Sequence, residues 1–206
     1  METDRFRIGN TEDPSHLVWK EVAHKDLLHT PIFDLQQDER ESQQGVRGSF
    51  VTLKAPNWIT IIPWYRNGKG IPCFVMVQQF RHGARKVIRE FPAGIIDAGE
   101  DGLTAAKREL EEETGLAAQS FTFLADINPN PALMNNRAIV YLAEGLHQVT
   151  AQHLDATEQL DVQSVPVHEV IRQMGKDSLY DNGMMLMALG LFMREAANQP
   201  ELLRQQ

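Results

Sequence analysis

Along the chain, apolar and polar positions fall into a clear pattern only from about Ser49 onward. Phe50 to Leu53 and Trp58 to Trp64 are rich in β-branched and aromatic residues and predict strands. Arg66-Asn67-Gly68-Lys69-Gly70 is a turn signal leading into the nearly continuous apolar run Cys73 to Gln79, so this stretch predicts a hairpin whose return strand is central in its sheet. Val87 to Phe91 predicts another short strand, followed by a Gly-containing loop from Ala93 to Asp101. From Gly102 to Thr114 the apolar residues Leu103, Ala106 and Leu110 recur at spacings of three and four, the stripe of a helix with Asp101 as N-cap and Gly115 as stop. Strands are expected again at Phe121 to Asp126 and Ala138 to Ala143. A polar loop from His147 to Gln159, a short strand near Val162 to Val165, a helix near Val167 to Met174 and a last helix from about Ser178 to Ala197 complete the pattern. Before Ser49 the residues are polar and weakly patterned, and Asp34 to Gln44, nearly all charged or amide, predicts a loop or turn between short strands.

Strands around one helix, with further helices after them, predict an α/β fold in which a mixed sheet lies between helices. A length of 206 residues suits one main domain, here 49–206, preceded by an N-terminal extension, 1–48, with short strands. Hydrophobic residues at 42% and charged residues at 23% are the balance of a folded protein rather than a disordered one. The formal net charge of -8 disfavours nucleic acid as a partner, since binding a polyanion relies on many Lys and Arg contacts to phosphate. A small phosphate ligand remains compatible, provided that a metal or a few local arginines supply the positive field. Cys73, the lone cysteine, lies in an apolar run as a core residue and has no partner for an internal disulfide, which fits a cytoplasmic protein. The charged first ten residues have no apolar stretch behind them, and the longest apolar run, Met184 to Met193, is too short to span a bilayer; no membrane is expected as a partner.

Candidate chemistry concentrates on the helix after Asp101. Glu109, Glu112 and Glu113 are three and four residues apart and share one helix face, whereas Glu111 points away. Like charges at this spacing each cost about 0.2–0.5 kcal/mol in an isolated helix, and Glu111 to Glu113 also crowd its negative end, an unfavourable placement of about 0.3–1 kcal/mol per carboxylate. A divalent cation such as Mg²⁺ or Mn²⁺ resolves the conflict, because both prefer oxygen ligands.

The wider pattern is more specific. Gly94, Glu100, Arg108, Glu109, Glu112, Glu113 and Gly115, with apolar Leu110 and Leu116, match position by position the Nudix box, Gly-x5-Glu-x7-Arg-Glu-apolar-x-Glu-Glu-x-Gly-apolar. At about one in fifteen per position, seven fixed matches arise by chance in on the order of one window in 10⁸. The chain thus resembles the Nudix hydrolase superfamily. Gln78-Gln79-Phe80-Arg81, Glu90-Phe91-Pro92-Ala93-Gly94 and Pro131 look like the ADP-ribose and nucleoside diphosphate sugar pyrophosphatase branch, a likeness that extends over roughly 49–197.

This resemblance implies an α/β/α sandwich with the box as loop, helix and loop, often in a homodimer built through the N-terminal strands. It implies Glu109, Glu112, Glu113 and the backbone carbonyl of Ala93 as ligands of Mg²⁺ or Mn²⁺. Arg108 orients a glutamate, with Glu100 as a partner, and Gly94 and Gly115 let the loop fold closely around the metals. Arg81 is the candidate for substrate phosphate or sugar, ahead of Arg85, Lys86 and Arg137. The proton of the attacking water goes either to a box glutamate or to a loop acid, for which Glu158 ranks before Asp155. The implied reaction is hydrolysis of a diphosphate bridge, giving AMP and ribose 5-phosphate when the substrate is ADP-ribose. Asn128-Pro129-Asn130-Pro131-Ala132 followed by Met134-Asn135-Asn136-Arg137 departs from the Ser-Pro-Gly type segment of ADP-ribose enzymes. GDP-mannose, a dinucleotide or a nucleoside triphosphate therefore stands as an alternative substrate, and a non-catalytic ligand sensor as a more distant alternative. Trp58 and Trp64 in a predicted strand, and Met184, Met185, Met187 and Met193 in a predicted helix, are expected in the core.

Overall fold

A computed structural model describes residues 13–154 and 158–205 of the chain. It divides into two compact units, one formed by the residues up to Ala55 with Asn130–Asn135, the other by Pro56–Pro129 with the residues from Asn136 onward.

The first unit is an antiparallel three-stranded sheet of β1 (Trp19–His29), β2 (Asp34–Ser42) and β3 (Arg47–Lys54), in that order. The expected loop over Asp34 to Gln44 is a correction: most of it is β2, paired on both sides from Asp34 to Glu41. The sequence conceals this strand because its inward positions are polar. Gln36, Asp38 and Ser42 are buried, and among the described residues of this unit no apolar side chain is. Asp38 accepts from His24 and Arg40, while Gln36 donates to Asp26, so hydrogen bonds rather than apolar packing organise the strand's inner face. A cavity of about 790 Å³ in this unit is lined by Trp19, His24, Asp38, Arg40 and Phe50, and none of the clustered glutamates lines it.

The second unit holds a mixed seven-stranded sheet. Its path runs β12 (Leu160–Pro166), β5 (Pro72–Arg81), β4 (Trp58–Arg66), β10 (Ala138–Glu144), β9 (Ser120–Ile127), with β6 (Lys86–Glu90) paired to β5 and the short β7 (Ala93–Ile95) to β4. β4 and β10 are parallel and the remaining pairs antiparallel. The expectation that the Cys73 to Gln79 run is an interior strand holds. Alternation along β4 sends its side chains to two faces. Ile59 and Ile61 pack on Ala105, Ala106 and Leu110 of α1 (Gly102–Thr114), whereas Ile62 joins Phe74, Met76 and Val140 against α2 (Val167–Gln173) and α3 (Gly183–Asn198). The fold is thus the expected mixed α/β one, with N-terminal strands and flanking helices. β8 (Leu116–Ala117) pairs with β11 (His147–Gln148), a two-residue strand within the expected polar loop.

The last helix begins five residues later than its periodicity predicts, because two side-chain caps divide the segment. Asp177 accepts from Leu179 N–H to start a 3₁₀ turn over Ser178–Tyr180, and Asn182 accepts from Met184 N–H to start α3. Cys73 and Met185 are buried and Met187 packs against the same core, while Met193 is exposed, a correction for the outer end of the Met run. Trp64 packs on that core and its indole N–H donates to the Leu202 carbonyl at 3.1 Å. No helix among the described residues is long and apolar enough to cross a membrane.

Candidate functional site

The site is built on α1 and on the loop that leads into it. Asp101 caps the helix through Leu103 and Thr104 N–H at 2.9 and 3.0 Å, and Gly115 ends it in the left-handed region at φ 69°, as the sequence predicts. A side chain at Gly115 would be strained by that φ, and its Cβ would stand 2.4 Å from the Thr150 carbonyl oxygen. The crowding of acids at the helix's negative end is offset by a feature that periodicity does not reveal. His153 N–H donates to the Glu112 carbonyl at 3.0 Å and Gln152 Nε2 to the Glu113 carbonyl at 2.6 Å, so the loop after β11 satisfies two otherwise orphaned carbonyls.

Arg108 is the hub of the acidic face. Its Nε and Nη2 donate to the two oxygens of Glu100 at 3.1 and 2.9 Å, a bidentate pair, and Nη2 also reaches the Ile95 carbonyl at 2.9 Å. Nη1 donates to Glu109 at 2.8 Å and to Glu112 at 3.1 Å. The guanidinium, held above its ordinary pKa chiefly by the Glu100 hydrogen bonds, in turn keeps the Glu100 carboxyl below its usual range.

Glu109, Glu112 and Glu113 meet different environments along one face. Glu112 is the most open of the three, Glu109 is largely covered and Glu113 is buried at 4% exposure. Burial lifts the Glu109 carboxyl despite Arg108. Burial, and then the charge of Glu109, push the Glu113 carboxyl up to about 9, against the weaker pull of the Ala93 N–H, which donates to Glu113 Oε2 at 3.2 Å, and of the Arg81 charge. Ala93 lies opposite Thr60, where β7 pairs with β4. At Gly94 a Cβ would stand 2.0 Å from Glu109 Oε1, so a side chain there would displace that carboxylate. Among the described residues, no three His, Cys, Asp or Glu side chains stand as they are in an arrangement that would close around a metal ion. The donor chemistry nonetheless fits one. Two covered carboxylates lifted by burial, one with a single N–H donor, are groups that a divalent cation would hold ionised.

The other sequence candidates divide. Arg81, at the end of β5, donates through Nε to Glu90 at 2.5 Å and is near enough to Glu113 for its charge to act there. Glu158 is exposed, and its charge acts on both Glu109 and Glu113, so it lies beside the acidic face. Asp155 lies outside the described residues. Arg137 is engaged with Asp126 at 2.7 Å and with Asn128, and Lys86 pairs with Asp181, which leaves both with structural partners. Glu90 and Asn182 are joined by Asn182 Nδ2 donating to Glu90 Oε2 at 2.6 Å, a contact between residues far apart in sequence that no local spacing signals.

Comparison with known proteins identifies the family. The NUDIX domain family matches residues 56–183. The chain is 28% identical to an ADP-ribose pyrophosphatase of Bacillus subtilis over 79% of its own length and 86% of the relative's. It is 28% identical to a methanol dehydrogenase activator of Bacillus methanolicus, over 86% and 94%. A crystal structure of an ADP compounds hydrolase superposes with a TM-score of 0.77 at 21% identity, covering 89% of this chain and 96% of that one, which supports the fold. With its box intact from Gly94 through α1 to Leu116, the chain belongs to the Nudix family and is a hydrolase of the kind that acts on a nucleoside diphosphate linked to a further moiety.

Proposed function

We propose that this protein hydrolyses the diphosphate bridge of ADP-ribose or a related nucleoside diphosphate sugar in a Mg²⁺- or Mn²⁺-dependent reaction, releasing a nucleoside monophosphate and a sugar phosphate. The observation that carries the reading is the Glu113 carboxyl, buried and pushed up to about 9 beside a second lifted carboxyl, within a matched Nudix box. Carboxylates so placed are poorly suited to structure alone and well suited to a cation. Glu109, Glu112, Glu113 and the Ala93 carbonyl would hold it, and when bound it supplies neutralisation of the diphosphate oxygens and acidification of water.

The chain's own residues do the rest. Arg108 holds Glu109 and Glu112 in register through one nitrogen while Glu100 fixes the guanidinium from behind. Arg81 supplies positive charge to the phosphate, and Glu158, exposed beside the acidic face, takes the proton from the attacking water as it adds to phosphorus in line with the departing phosphate. The reading includes a cytoplasmic location and a homodimer; the exposed Trp19, Val22, Leu27, Leu28 and Phe50 of β1 and β3 support the homodimer.

A phosphatase-coupled phosphate-release screen with Mg²⁺ over ADP-ribose, ADP-glucose, GDP-mannose, NADH and nucleoside triphosphates tests it. ADP-ribose or ADP-glucose is expected to turn over fastest. Turnover of triphosphates alone would refute the substrate class.

A further inference from the structure

Glu90 is 3% exposed at the end of β6, yet it lies outside the box and both of its oxygens are taken. Oε1 accepts from Arg81 Nε at 2.5 Å and Oε2 from Asn182 Nδ2 at 2.6 Å, while the Asn182 Oδ1 accepts from Met184 N–H at 2.8 Å as the N-cap of α3. The β5–β6 register pairs Arg81 with Lys86 and Val77 with Glu90. Arg81 and Glu90 therefore stand on the same face of this strand pair but at opposite ends, and the arginine side chain runs back along the strands to make the contact.

The manner of the contact matters. An arginine that serves only to neutralise a carboxylate tends to meet it with two parallel N–H groups, as Arg108 meets Glu100. Arg81 instead uses Nε alone. Its two terminal nitrogens have no partner among the described residues, and its side chain is 42% exposed. A flexible side chain anchored in this way has lost rotamer freedom before any ligand arrives, and it retains the forked pair of donors that matches phosphate oxygens.

We propose that Glu90 and Asn182 are positioning residues that hold Arg81 by its Nε, so that the two terminal nitrogens face the diphosphate of the nucleotide substrate. The inference rests on the hydrolase reading above. The chain of contacts runs from the N-cap of α3 through a buried carboxylate to an arginine whose charge reaches Glu113.

The test is a double-mutant cycle read by calorimetric binding of α,β-methylene-ADP with Mg²⁺ to the full chain. Asn182→Ser removes the amide donor but keeps an oxygen to cap α3. Arg81→Ala is expected to weaken binding roughly tenfold or more, the loss of charge-assisted hydrogen bonds, and Asn182→Ser or Glu90→Gln about threefold. In the Arg81→Ala background, Asn182→Ser is expected to change binding no further, whereas thermal melts show the same shift for Asn182→Ser in both backgrounds. Additive losses in binding, or wild-type binding by the Asn182→Ser protein, would overturn this inference alone. A wild-type chain that does not bind the analogue would overturn the diphosphate reading and this inference together.

Discussion

Asp38 of the first unit and Glu113 of the second are both buried carboxylates, and they are treated in opposite ways. In the first unit Asp38, 5% exposed, accepts from His24 at 2.8 Å and from Arg40 at 2.9 Å, and these partners hold its carboxyl below the usual range. In the second unit Glu113, 4% exposed, has one backbone N–H at 3.2 Å and an acidic neighbour, and its carboxyl is pushed up to about 9. For Asp38 the hydrogen bonds from His24 and Arg40 outweigh the cost of burial, whereas for Glu113 burial is the larger cause and the charge of Glu109 adds to it. A buried acid supplied with cations of the protein's own is a structural element. One left short of them, on a helix face with two further acids, is the group that the proposed cation would hold ionised.

The sharpest way to break this contrast is to neutralise each acid. Glu113→Gln is expected to lower kcat for ADP-ribose with Mg²⁺ by roughly 10²- to 10⁴-fold, the range of a removed catalytic electrostatic or proton-transfer group, and to leave or raise the melting temperature in EDTA. Asp38→Asn should leave kcat within about twofold, since charge and hydrogen bonding at that site serve the sheet. Steady-state kinetics and melts on the same preparations decide it, and a Glu113→Gln enzyme of near-normal rate would remove the distinction.

Two of the glycines that face side chains closely, one in each unit, sharpen the comparison at a smaller scale. An alanine Cβ at Gly94 would stand 2.0 Å from Glu109 Oε1, the end of a flexible side chain, so the fold survives while the carboxylate swings aside. A displacement of about 1 Å in a catalytic constellation costs on the order of 10²-fold. Gly94→Ala is accordingly expected to lose about 10- to 100-fold in kcat with an unchanged circular dichroism spectrum. At Gly48 of the first unit an added Cβ would meet the Phe50 ring at 2.9 Å, and Gly48→Ala should leave turnover unchanged.

The contrast also explains what could be read from the chain. The helix Gly102–Thr114, its Asp101 cap, its Gly115 stop and the shared face of Glu109, Glu112 and Glu113 were legible because each depends on residues within a turn or two of one another. β2 was hidden because hydrophobic alternation is the signal for a half-buried strand, and this one turns Gln36 and Asp38 inward. The long-range company of the site was equally silent. Gln152 and His153 cap α1 from a stretch without periodicity, and Asn182 reaches Glu90 across 92 positions. Arg81 could be singled out by resemblance, but its bond to Glu90 depends on strand register and on where α3 begins.

Titration should separate the units in metal-free protein. Glu113 holds its proton to about 9 when folded and to near 4.5 when unfolded, so above pH 4.5 the unfolded chain releases a proton that the folded chain keeps. Its contribution is therefore fully present below about 4.5 and is lost as pH rises towards 9. A cation that binds the ionised form restores what is lost. The rise in melting temperature produced by Mg²⁺ over EDTA should grow steadily from pH 5 to pH 9 by thermal melts, and a rise independent of pH would show that Glu113 does not meet the ion.

The smallest effect belongs to Asp38, and its sign is opposite. A carboxyl depressed in the folded state stabilises above its unfolded value and stops doing so as pH falls through the depressed one. His24, raised by Asp38 and then Asp26, adds stability that is complete below 6.5 and is lost as pH climbs through its raised value. Replacing Asp38 by Asn keeps the shape and removes the charge from two hydrogen bonds whose donors are partly solvated, an expected loss of about 1–2 kcal/mol. At this chain length that is a fall of about 2–8 °C. The loss should be greatest between pH 5 and 6.5, where Asp38 is ionised and His24 protonated, and should fade on the alkaline side. If the Asp38→Asn penalty instead grew with pH, His24 would not be its principal partner, and the first unit's carboxylate would need a different cation to keep it charged.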